Sequence, residues 1–101
     1  MRATLSRVWW QGIRSARSKE GYSVRLRGLS HGLEYREGDH VLRVGVARAA
    51  VDVDWIIYLG LIAGWLPPYQ HEQLSEEKRQ QIRGRVIEAL DFLKIKYYLP
   101  E

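Results

Sequence analysis

The chain has no cysteine, which removes disulfide staples, thiolate metal sites and a cysteine nucleophile at one stroke and fits a reducing compartment. It also lacks an apolar run long enough to cross a bilayer as a helix. The charge-free stretch from Trp55 to Leu66 covers 12 residues. A spanning helix takes about 20, and Pro67-Pro68 follows at once. The G-x-x-x-G formed by Gly60 and Gly64 inside this stretch is therefore read as core backbone, a bulge or a close approach, not as a membrane dimerisation face. No apolar segment near the N-terminus leads to a small-residue cleavage site, so no secretory signal is expected. There is no internal repeat and no low-complexity tract.

Catalytic and nucleotide-binding motifs are missing as well. His31, His40 and His71 are isolated, no H-E-x-x-H spacing occurs, and solvated histidines account for them. No serine sits in a G-x-S-x-G context, although a Ser/His/Asp set scattered along the chain is not excluded by sequence distance. Gly28, Gly32 and Gly38 lack the lysine and the strand-to-helix setting of a phosphate loop. Asp52 and Asp54 would share one face of a strand, a spacing able to hold Mg²⁺ or to place two carboxylates for acid/base work. Two acids alternating with Val51 and Val53 are more often a solvent face. No enzymatic activity, metal or cofactor is expected.

What is present is an ordinary globular composition, with 46% hydrophobic and 28% charged residues in 101. A chain of this size forms one domain and buries roughly two-thirds of its unfolded surface. The expected organisation is a basic N-terminal extension, residues 1–20, followed by a single α+β domain over 21–101. Charge is uneven: ten basic and four acidic residues lie up to Arg48, six and eight beyond it. That asymmetry favours an anionic partner on the N-terminal side without specifying it.

In the extension, Arg2, Arg7, Arg14, Arg17 and Lys19 precede the first acid, Glu20. Leu5, Val8, Trp9, Ile13 and Ala16 recur at helical spacing, which reads as a basic amphipathic helix. Docking of its tryptophans on the rest of the protein is the reading preferred over a membrane surface.

From Gly21 the period changes to two. Tyr22, Val24 and Leu26 alternate with Ser23, Arg25 and Arg27, and Gly28 ends the strand. Leu33 and Tyr35 alternate with Glu34 and Arg36. Glu37-Gly38-Asp39 supplies a turn, and Val41, Leu42, Val44 and Val46 resume a β-branched run, giving a hairpin. Val51 and Val53 lead into Trp55-Ile56-Ile57-Tyr58, a fourth strand bulged near Gly60. After the prolines, Ser75 is an N-cap, Glu76 and Glu77 occupy the first turn, and Ile82, Val86, Leu90 and Leu93 form an apolar stripe. Glu88 is placed to meet Arg85, and Gly84 reads as a point of close packing. Ile95, Tyr97 and Leu99 form a closing strand that pairs with the sheet.

Several of these segments together carry a family likeness. Leu33-Glu34-Tyr35, Gly38-Asp39-His40-Val41-Leu42 and Trp55-Ile56-Ile57-Tyr58 come first. Trp65 with Pro67-Pro68 and Leu74-Ser75-Glu76-Glu77-Lys78-Arg79 follow, then Ile82, Val86, Ala89 and Leu90. Their order over about 70 residues resembles the Imm74 group of small bacterial immunity proteins. The resemblance implies a curled antiparallel sheet of about five strands packed on one long C-terminal helix. It also implies a cytoplasmic, non-enzymatic protein that binds and neutralises a cognate protein toxin made by the same bacterium. The basic extension with Trp9-Trp10 departs from the family pattern.

Under that reading the candidate partner contacts are Trp65, Tyr69 and the acids Asp52, Asp54 and Glu72, with the prolines setting chain direction. Trp65 is more often core than contact. The alternative is a nucleic-acid-binding module in which Arg25, Arg27, Arg36 and Arg43 track phosphates while Tyr22 or Tyr35 stacks bases. Alternation counts against it, because tyrosines and arginines on one strand fall on opposite faces.

Overall fold

The computed structural model describes residues 5–10, 13–48 and 54–100. Five strands follow one another in an open antiparallel meander: β1 (Leu5–Trp10), β2 (Ile13–Ser18), β3 (Tyr22–Gly28), β4 (Gly32–Glu37) and β5 (His40–Val44). The chain then bends at Gly45 into a second, three-stranded sheet. There β6 (Val46–Arg48) pairs antiparallel with β7 (Trp55–Ile57), and β7 pairs parallel with β8 (Tyr97–Tyr98). One helix, α1 (Glu76–Phe92), precedes β8. This is the α+β architecture the periodicity predicts.

The described part of the N-terminal extension does not follow its helical spacing. Residues 5–10 and 13–18 are strands, and β2 pairs with β3 from Arg14↔Leu26 to Arg17↔Ser23. The physical reason is the edge of β3, whose backbone N–H and C=O groups need partners that a docked helix cannot supply. Pairing also puts Ala16 opposite Val24, where both are buried. Nor is there a bulge at Gly60: Leu59–Leu61 form a short 3₁₀ turn, with Leu59 buried and Leu61 exposed. The expected strand residues Val51–Val53 lie outside the described residues.

Alternation decides the faces. Register aligns Ala16, Val24, Tyr35 and Leu42 across β2 to β5, and all four are buried. Onto this face α1 lays Ile82, Val86, Ala89 and Leu90, each fully buried. Trp55, Ile57, Ile62 and Trp65 complete the core from the second sheet and the loop after it.

Both ends of α1 are closed locally. Ser75 Oγ accepts from the Lys78 N–H at 3.0 Å, satisfying one of the donors a helix start leaves open. At the other end the Ile95 N–H reaches the Leu90 carbonyl and the Lys94 N–H that of Asp91. This is the Schellman pattern, with apolar Ile95 and Leu90 buried across it. Lys94 occupies the left-handed position, with φ of 58°, where glycine is favoured.

Two glycines behave oppositely. A Cβ on Gly32, whose φ is 71°, would lie 2.6 Å from the Val44 carbonyl oxygen, so β4 and β5 approach there only because the side chain is absent. Gly84 was expected to allow close packing, but a Cβ there meets nothing within 4 Å and the residue is exposed. Gly32→Ala is therefore expected to destabilise the fold by more than about 1 kcal/mol. Gly84→Ala and Lys94→Gly are each expected to stabilise it by about 0.5–1 kcal/mol. Urea unfolding midpoints of the three variants check the signs.

Candidate functional site

The loop between the second sheet and α1 gathers three of the five residues singled out by sequence. The Leu66 N–H donates to the Val41 carbonyl at 2.7 Å, pinning the loop to the open edge of β5. A cis peptide joins Pro67 to Pro68. Two tight turns follow, closed by Tyr69 N–H to Leu66 C=O and Glu72 N–H to Tyr69 C=O. Through these turns Trp65, Tyr69 and Glu72 all converge on His40 at the start of β5.

The geometry around that imidazole is specific. Tyr69 stacks on it with centroids 3.7 Å apart and planes 16° from parallel. Trp65 meets its edge at 5.0 Å, and the Glu72 carboxylate lies 2.9 Å from Nε2. Trp65 is buried and also stacks on Tyr35 at 6.3 Å, so it anchors the loop from below. Tyr69 is half-buried and the Glu72 side chain is 54% exposed; these two are the outward part of the cluster. Asp54 is exposed immediately before β7, in the second sheet, apart from this loop. Asp52 lies outside the described residues. His40 was not foreseen as the point of convergence, and no local spacing could have shown it, since its partners lie about 25 to 32 residues away.

Beneath the loop a polar network ties α1 to the sheet. Tyr35 Oη donates to Glu37 Oε1 at 2.6 Å and accepts from Arg85 Nη1 at 3.0 Å. Glu37 also takes Lys78 Nζ at 2.5 Å and Arg85 Nη1 at 3.2 Å. The Arg85 guanidinium lies over the Tyr22 ring at 4.5 Å, and Tyr22 Oη donates to Glu88 at 3.4 Å. Glu88 thus serves Tyr22 instead of Arg85, as the sequence had paired it. The Arg79 guanidinium donates to the Ile62 carbonyl, fastening the 3₁₀ segment to α1.

Burial shifts these groups. Desolvation, with the acceptor Glu37 beside it, drives the Tyr35 phenol far above its ordinary value, and desolvation with the Glu88 charge raises Tyr22. For Glu37, burial opposes ionisation, but hydrogen bonds from Lys78 and Tyr35 outweigh it and hold the carboxyl below its ordinary value. These contacts hold α1 and the loop to the sheet. Among the described residues no group of His, Asp and Glu is arranged to hold a metal ion, and no helix is long and apolar enough to cross a membrane.

The arginines proposed to track phosphates do come together in part. Register places Arg25, Arg36 and Arg43 on the face opposite α1, while Arg27 falls at the register shift between Leu26 and Gly28. Tyr22 and Tyr35 lie on the helix side, 2% and 0% exposed, where no base can stack.

The Glu37 carboxyl sets a pH dependence. Its folded value lies below its unfolded one, so its contribution is complete above about pH 5 and is lost as pH falls through the folded value. Glu37→Gln is expected to lower the urea midpoint at neutral pH, with the gap to the wild type closing as the pH is lowered from about 5 through the folded value. A gap constant across that range would show that Glu37 gains nothing from Lys78 and Tyr35.

No curated protein and no solved structure was found to match the chain. The model of the Imm74 family, described as immunity protein 74, matches residues 25–99. The matched span runs from the middle of β3 through β8 and contains His40, the Trp65-to-Glu72 loop and all of α1. The chain therefore belongs to the immunity protein 74 family.

Proposed function

We propose that this chain is a non-enzymatic, cytoplasmic immunity protein that binds a cognate protein toxin and neutralises it by covering its working surface. The observation that carries this reading is the family match across about three quarters of the chain. The loop cluster supports it. Protein interfaces draw their energy from a few anchored aromatic or arginine side chains within a polar rim, and Tyr69 on His40, backed by buried Trp65, is such an anchor. Glu72 beside it, Asp54 before β7, and Asp52, which lies outside the described residues, are the acidic contacts proposed with it. Because Tyr69 is already stacked in the free protein, little side-chain freedom remains to be lost on binding.

Co-expression with any toxin domain encoded beside the gene tests the proposal. The chain is expected to restore growth and to co-purify with the toxin. Tyr69→Ala is expected to weaken the complex at least about tenfold, about 1.4 kcal/mol, with the fold intact by circular dichroism. Failure of the wild-type chain to restore growth with any neighbouring toxin overturns the reading.

A further inference from the structure

The face of the five-stranded sheet turned away from α1 carries two adjacent rungs of cross-strand neighbours. One runs Arg17, Ser23, Arg36, Val41, and the next runs Ser15, Arg25, Glu34, Arg43. Arg17, Arg36 and Arg43 are exposed. No carboxylate among the described residues forms an ion pair with Arg17 or Arg43. The one acid of the patch, Glu34, is 8% exposed and approaches Arg25 and Arg36 only to 3.9 Å.

Neighbouring strands lie about 4.8 Å apart, so four guanidinium groups are rooted within about 15 Å of one another around a single carboxylate. Like charges set across a sheet repel. The free chain bears that repulsion, and an anionic surface laid over the patch relieves it. At the first rung an open cleft of about 270 Å³ lies among Arg17, Ser23 and Arg36, with Gly21 and Gly38 beside them. This is just below the range of small-molecule pockets, about 300 Å³ upward, and suits the end of one side chain.

We propose that this face docks an acidic protein surface, with the Arg17–Ser23–Arg36 cleft receiving an aspartate or glutamate side chain. Identifying that partner as the toxin rests on the immunity reading above. An acidic protein is favoured over nucleic acid on two grounds. The buried Glu34 at the centre opposes a continuous run of phosphates but leaves room for discrete carboxylates on either side. The planar arginine fork also matches a carboxylate in two-point hydrogen bonding, and a serine hydroxyl between two such forks adds a donor.

The test uses the full chain in two arms. In the first, nuclear magnetic resonance follows titration with a short glutamate-rich peptide and, separately, with DNA and RNA oligonucleotides of equal charge. The peptide is expected to shift Arg17, Ser23, Arg36 and Arg43, and R36E/R43E, still folded by circular dichroism, is expected to lose those shifts. Absence of peptide shifts on this face, or tighter binding of either oligonucleotide at the same salt, overturns the proposal. In the second, R17E/R36E is measured against any toxin domain that the wild type neutralises. Its association rate is expected to fall at least about tenfold at low salt, as it does when complementary charge is reversed. A toxin neutralised by the wild type and bound by R17E/R36E at an unchanged rate refutes the docking face and leaves the immunity reading standing. Peptide shifts on the face without any toxin neutralised support the face and refute the immunity reading.

Discussion

The fold turns on the buried phenol of Tyr35. A tyrosine hydroxyl taken out of water costs several kcal/mol unless it finds partners, and here those partners come from two elements: Glu37 on the same strand and Arg85 on α1. Its ring lies between Tyr22 of β3 and Trp65 of the loop, with centroids 5.9 and 6.3 Å away. One side chain thus sets the height of α1 above the sheet, the position of the loop and the packing of the adjacent strand. Lys78 and Arg85, seven residues or two helical turns apart, both reach Glu37, which fixes the rotation of the helix about its axis as well.

Much of this was legible in the chain, and the rest had definable causes. The strands from Tyr22 to Val44 and the capped helix after Ser75 carry strong local signals: strict alternation, glycines at turns, and an apolar stripe behind a serine. The first twenty residues misled because Leu5, Val8, Trp9, Ile13 and Ala16 fit helical spacing while their strand partner, β3, lies beyond the window in which periodicity is read. Gly12, between two runs rich in strand-forming residues, was the available counter-signal. The closing strand was foreseen, but not its parallel pairing with β7, which follows from the helix crossing between them. Of the candidate contacts, Trp65, Tyr69 and Glu72 do assemble; that they assemble on His40 depends on a tertiary fold no linear spacing encodes.

The two faces of the main sheet divide the work. One is filled by α1 and a polar network whose members are mutually satisfied, so it is committed to stability. The other is dense in arginine. The loop cluster stands at the same end of the sheet as the Arg17–Ser23–Arg36 rung, because His40 and Arg36 flank a single β-turn. Under the proposed reading, the aromatic cluster and the cationic face around one corner would give a partner both an apolar foothold and a charge pattern to orient it, with charge governing encounter and the aromatic governing residence.

The pairing of β7 with β8 bears on how the protein comes into being. The Trp55 N–H is satisfied by the carbonyl of Lys96, and Trp55 and Ile56 stand opposite Tyr97 and Tyr98. A growing polypeptide halted between Phe92 and Lys96 holds the meander and the helix but leaves β7 with a bare edge, a state prone to pair with other chains. During synthesis the second sheet is therefore sealed only after the helix has left the ribosome, and the strand that seals it is two residues long.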